Sequence, residues 1–123
     1  MVSPKIRVYV ATVKATTSLY PLGHGYFVQV SIRYFTVLRE LTGKKEEKLI
    51  FPENQKTTIN AVLKMLSEKY NKSFIDYVFD PDGQVKGFLQ FLINGTSATT
   101  LQGLETTLQE GDVLAILPPI GGG

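Results

Sequence analysis

His24 is the only histidine in this chain, and cysteine is absent. That removes disulfides, thiolate metal sites and a cysteine nucleophile together. His24 sits in "PLGHGYF", where proline and two glycines predict a loop. Its imidazole titrates near neutrality, but with no second histidine to act with, it reads as a solvated side chain. A zinc site would need several carboxylates at ligand spacing, and none cluster that way. Glu46-Glu47, inside the lysine-flanked "GKKEEK", read as solvated charge. No P-loop, no GxSxG elbow and no Rossmann glycine pattern occurs. The residues left to explain are the last ones, "PPIGGG", at 118–123. Most termini carry no message in their composition. This one is a stiff pair, one aliphatic and three glycines, and it is open to three readings: a fraying end, an engineered remnant, or the reactive group itself.

Composition narrows the setting. A chain of 123 residues has room for one real hydrophobic core and not for two. An apolar fraction of 43% is ordinary for a folded globular domain. A formal net charge of +2, without basic clusters interleaved with aromatics, argues against nucleic acid as partner. The longest apolar runs, such as Val113–Leu117, are far too short to span a membrane, and "MVSPKIRVYVATVKA" lacks the long apolar core of a secretory signal. The expectation is a soluble cytoplasmic protein that binds neither nucleic acid nor membrane, and no metal or bound cofactor.

Regular patterning begins near residue 28. In "VQVSIRYF", Val28, Val30, Ile32 and Tyr34 alternate with Gln29, Ser31 and Arg33, the period of a strand with one buried face. "TVLRELTG" spaces Val37, Leu38 and Leu41 for a short helical turn that Gly43 stops. "EEKLIFPE" predicts a second strand ending at Pro52. The main helix is predicted from Thr58 to Tyr70, capped by Thr57 or Thr58. Its Ile59, Val62, Leu63, Leu66 and Tyr70 form one apolar stripe, with Lys64, Glu68 and Lys69 on the wet face. "FDPDGQ" is a turn, and "GFLQFLING" a strand entering an Asn94-Gly95 hairpin. A loop-rich segment then leads to a turn at Gly111-Asp112 and the last strand, "VLAILPP". That strand is apolar on both faces, Leu114 and Ile116 against Val113, Ala115 and Leu117. One face covers the helix, and loops or a partner must cover the other. The architecture expected is α+β, a sheet crossed by one main helix.

With the elements placed, "VSIRYFTVLRELTG" and "LQEGDVLAILPPIGGG", together with "INGTSA" at the hairpin, resemble the small subunit of molybdopterin synthase. That subunit belongs to the ubiquitin-like sulfur carriers, with the thiamine sulfur carrier and the archaeal ubiquitin-like modifiers. The match runs from about Val28 to Gly123 in the same element order, and the Pro118-Pro119 pair favours the molybdopterin branch. The resemblance implies a β-grasp fold. It also implies that the Gly123 carboxylate, following Gly122, is adenylated with ATP by an E1-like enzyme and converted to a thiocarboxylate. The tail would then enter the synthase large subunit and deliver sulfur to cyclic pyranopterin monophosphate. Leu117, Pro118, Pro119, Ile120 and Gly121 become candidate partner contacts, with Phe35 and Arg39 carried over from "RYFTVLREL". The same activated carboxylate would serve a modifier joined to protein lysines.

The physics of the tail agrees with that implication. A carboxylate is a poor electrophile until adenylate supplies a leaving group, and a thiocarboxylate is a sulfur nucleophile that needs no cysteine in the carrier. Glycine lacks a Cβ, so an extended Gly122-Gly123 fits a channel that excludes side chains. Pro118-Pro119 cannot keep donating to a sheet ladder and projects the tail away. Six extended residues reach about 20 Å. Three segments result: an N-terminal extension over 1–27, a β-grasp domain over 28–117, and a tail over 118–123. The extension has no counterpart in the compact family domain. Its "KIRVYVATV" alternates like a strand and "SLYPLGHGYF" reads as a loop. It is expected to be an arm the domain can fold without, the alternative being an added edge strand.

Overall fold

The computed structural model describes residues 27–119. The N-terminal extension up to residue 26, with His24, lies outside them. Five strands and three helices follow in chain order: β1 (Phe27–Tyr34), α1 (Val37–Thr42), β2 (Glu46–Pro52), α2 (Ile59–Lys69), α3 (Lys72–Val78), β3 (Gln90–Ile93), β4 (Thr96–Ser97) and β5 (Val113–Leu117). The sheet order is β2-β1-β5-β3-β4. All neighbours are antiparallel except β1 and β5, which run parallel with Ile32 opposite Leu114 and Tyr34 opposite Ile116. This mixed sheet with helices packed across it is an α+β, ubiquitin-like β-grasp arrangement.

Alternation in the strands decides which face is covered. Val30, Ile32 and Tyr34 of β1, Leu49 and Phe51 of β2, Phe91 and Ile93 of β3, and Leu114 and Ile116 of β5 are all buried. Ile59, Val62, Leu63 and Leu66 of α2 close over them. Each such side chain contributes roughly 1.5–3 kcal/mol on leaving water. Thr58 begins α2 by accepting the Ala61 N–H at 3.1 Å, which satisfies one of the helix's free amides. Thr57, the other candidate cap, is buried beside it. Gly43 ends α1 in the left-handed region at φ 75°, its N–H donating to the Arg39 carbonyl at 2.8 Å. The hairpin after β3 uses positive φ at both Asn94 and Gly95, the two-residue turn that matches strand twist.

The structure differs from the sequence reading in two places. Residues 72–78, for which the periodicity predicts nothing, form α3. It is one short turn-pair, capped by Asn71 accepting the Phe74 N–H at 3.2 Å, and it buries Phe74 and Val78. Asn, Ser, Asp and aromatic residues are weak helix formers, so tertiary packing makes this helix. The second difference is Glu47, which is not solvated charge. Register pairs it with Ile32, so it points to the core side, and its side chain is only 6% exposed. Tyr34 and Tyr70 donate their hydroxyls to Glu47 Oε2, Tyr70 at 2.6 Å. Lys44 and Lys69 bond Oε1, Lys44 at 3.1 Å. Four donors from β1, β2's approach and α2 thus converge on one carboxylate.

Electrostatics follow from that convergence. Burial alone would raise the Glu47 carboxyl, but hydrogen bonds from Lys69, Tyr34, Tyr70 and Lys44 outweigh it and hold the group below its usual range. Burial pushes the Tyr34 hydroxyl well above the ordinary phenol value, with the Glu47 hydrogen bond adding to it. Tyr70 is pushed up to about 12 by burial and by the same carboxylate.

Two predictions follow from this packing. The covered sheet face, α2 and α3 are all drawn from residues 30–116, so a chain beginning at Phe27 should unfold cooperatively within about 5 °C of the full chain. Aggregation or a much larger drop would make the extension an integral strand. For the carboxylate, a depressed pKa means stability that is complete above the unfolded value of about 4.3 and lost as pH falls through the lower folded value. Glu47→Gln should cost about 2 kcal/mol at pH 7, discounted for the part-exposed lysines. Urea titrations should show that cost flat from about pH 6 to 8 and shrinking below about pH 4. A cost independent of pH would contradict the assignment.

Candidate functional site

β5 decides where the tail leaves the protein. It is hydrogen-bonded to β1 on one side and β3 on the other, so the chain exits from the middle of the sheet. Leu114 and Ile116 are in the core, while Val113, Ala115 and Leu117 are half-buried on the opposite face, beside Leu92, which pairs with Ala115. The last strand's second apolar face is therefore only partly covered among the described residues. Pro118 is buried and Pro119 exposed. Asn94 anchors the strand's start: its Oδ1 accepts the Val113 N–H, and its amide donates to Asp112, each at 2.9 Å. Ile120, Gly121, Gly122 and Gly123 lie outside the described residues.

The sequence candidates meet at this exit. Because β1 and β5 are parallel and Tyr34 faces Ile116, the residue after Tyr34 lies alongside Leu117. Phe35 is half-buried there, with the Arg39 guanidinium 5.3 Å from its ring centroid. Arg39 is itself fixed, its Nε donating to the Tyr34 carbonyl at 2.8 Å. The hydrogen bond that the Tyr34 hydroxyl donates to Glu47 pins the side chain of the same residue. One residue is thus held at both its backbone and its ring tip, directly beside the tail root.

Thr36 is the residue that sequence reasoning missed here. Its φ of 49° and ψ of −120° belong to a turn position that glycine normally fills, and the Leu38 N–H closes that turn on the Phe35 carbonyl at 3.0 Å. A β-branched residue at positive φ is an outlier that stores on the order of 1–3 kcal/mol. No sequence signal marks it, since threonine is the wrong residue for the turn it makes.

Other sites offer less. Among the described residues, no group of three or more His, Cys, Asp or Glu could hold a metal ion. No described helix is long and apolar enough to cross a membrane. A groove of about 810 Å³, lined by Gln29, Ile50, Thr57 and Leu108 among others, opens at the start of β1, the far end from the tail root.

Comparison with known proteins follows the same line. The chain is 29% identical over 96 residues to small archaeal modifier protein 3 of Haloferax volcanii, covering 78% of this chain and 100% of that protein. Among solved structures it is similar to small archaeal modifier protein 1 of Methanosarcina acetivorans, with a TM-score of 0.67 and 32% identity over 80% of this chain and 100% of that one. It is also similar to a Pyrococcus furiosus protein assigned as molybdopterin converting factor, subunit 1, with a TM-score of 0.54 and 26% identity over 76% and 99% of the two chains. Residues 32–123 match the ThiS family. That span holds β2 to β5, the last three residues of β1 and the diglycine, and the chain belongs to the ThiS family of ubiquitin-like sulfur carriers and modifiers.

Proposed function

We propose that this protein is a sulfur carrier whose Gly123 carboxylate is its reactive group, acting as the small subunit of a molybdopterin synthase. The observation that supports it most is the run Leu117-Pro118-Pro119, which leads from the centre of the sheet into terminal Gly122-Gly123. In the proposed cycle a carboxylate oxygen of Gly123 attacks the α-phosphorus of ATP on an E1-like enzyme, releasing pyrophosphate. Hydrosulfide then attacks the acyl carbon and AMP departs, leaving the thiocarboxylate. Ile120 and Gly121 carry the tail into the synthase large subunit, where the sulfur bonds to a carbon of the pterin precursor and water then cleaves the resulting thioester, leaving sulfur on the pterin and a carboxylate on Gly123. The carrier contributes reach, a slim tail and a docking face and needs no cofactor of its own, in keeping with its lack of cysteine and with ATP-dependent work in the cytoplasm.

A second reading is favoured by the similarity to two small archaeal modifier proteins. There the same acyl-adenylate is captured by a lysine ε-amine of another protein, forming an isopeptide bond through Gly123. The two outcomes share every step up to activation and part only at the nucleophile.

Deleting Gly123, or adding one residue after it, tests both. ATP–pyrophosphate exchange with the E1-like enzyme and sulfur transfer to the pterin precursor should both be lost. The thermal transition should stay in place, because the core of the described residues is complete by Ile116. Undiminished exchange and transfer by either variant would rule out Gly123 as the reactive group.

A further inference from the structure

We propose that Phe88, braced by Tyr77 and Lys86, is a second flank of the docking surface at the tail root, received by an apolar pocket edged with carboxylates on the enzyme that activates Gly123. This rests on the reading of Gly123 given above.

The placement comes from register. Gln90 faces Leu117 across the β3–β5 ladder, and Phe88 stands in the turn that leads into β3, two residues before that pair, at the end of the sheet where β5 finishes. Phe35 and Arg39 occupy the opposite side, next to β1. β5 lies between β1 and β3, so the two flanks stand on either side of the strand that ends at Leu117. Val37 at 39% exposure and Phe88 at 43% are two of the large apolar residues the described fold leaves in solvent, and both belong to these flanks.

An isolated exposed phenylalanine would need no explanation, but this ring is held. Tyr77 of α3 packs against it with centroids 5.7 Å apart and planes at 55°. Lys86 Nζ lies 5.8 Å from the ring centroid and is tied there by donating to the Asp76 carbonyl at 2.7 Å. A ring already fixed in place loses little freedom on binding, and aromatic anchors dominate interface energetics. The charge on this flank repeats that of the other. Phe35 carries Arg39 and Phe88 carries Lys86, and neither cation forms an ion pair among the described residues. Two cation-topped rings around an emerging tail call for a receiving surface that is apolar at the centre and acidic at its rim.

The test is ATP–pyrophosphate exchange with the E1-like enzyme of the source organism, titrating full-length carrier variants. Phe88→Ala should raise the KM for the carrier about tenfold. Lys86→Glu should raise it at least as much and weaken its salt dependence. Leu101→Ala removes a similarly exposed residue that lies between the 3₁₀ turns Ala98–Thr100 and Gly103–Glu105, away from both flanks, and it should leave KM unchanged. Thermal melts confirm that each variant is folded, and Phe88→Leu serves if the alanine variant melts early. Normal exchange by the wild type with unaltered KM in the folded Phe88 and Lys86 variants overturns this inference alone. An equal loss in Leu101→Ala overturns it too. No exchange by the wild type overturns the role of Gly123 and this surface with it.

Discussion

The parallel pairing of β5 with β1, closed on its other side by β3, is the constraint on which the rest of this molecule depends. A parallel ladder cannot be made by a tight turn, and here almost the whole domain lies between the two strands. The last residues to join the sheet therefore occupy its centre, with Leu114 and Ile116 locked into the core. A chain end that leaves from the middle of a sheet is supported on two sides up to its final hydrogen bond. One leaving from an edge would be free to fray several residues earlier. Pro118 and Pro119 then stop the ladder, since neither can donate to it.

That geometry explains why so many unusual features gather at one end. Tyr34, the β1 residue opposite Ile116, is fixed by Glu47 at its hydroxyl and by Arg39 at its carbonyl. Breaking a buried, multiply bonded carboxylate leaves its partners unpaired, so the hub makes the end of β1 stiff. The strained turn at Thr36 is affordable only because the structure on both sides is over-determined. Under the proposed function that rigidity has a use: a tail that must find a narrow channel benefits from a root whose direction does not wander.

Much of this was legible in the sequence. Strand alternation in residues 28–34, the α2 stripe and Asn94-Gly95 are local signals, each with a period or turn preference of its own, and each appears in the structure where expected. α3 was not legible, because its residues have weak helical preference and its two core contacts, Phe74 and Val78, are too few to show a period. Glu47 was misread because "GKKEEK" looks like any solvated run. Its partners Tyr34 and Tyr70 are distant in sequence, and only the fold brings them to it. The candidate contacts Phe35, Arg39, Leu117 and Pro118 came from a resemblance, and register places them together. Phe88 had no sequence signal at all, since its exposure depends on where β3 begins and on α3.

The central claim is that Gly123 carries sulfur. Intact-mass spectrometry of the protein purified from its native host under non-reducing, acid-free conditions tests it most directly. The account predicts a species heavier than the encoded chain by the exchange of one oxygen for sulfur, with fragmentation placing the change at Gly123. An unmodified carboxylate throughout, from cells actively making the pterin cofactor and with no lysine adducts of the tail, would contradict it.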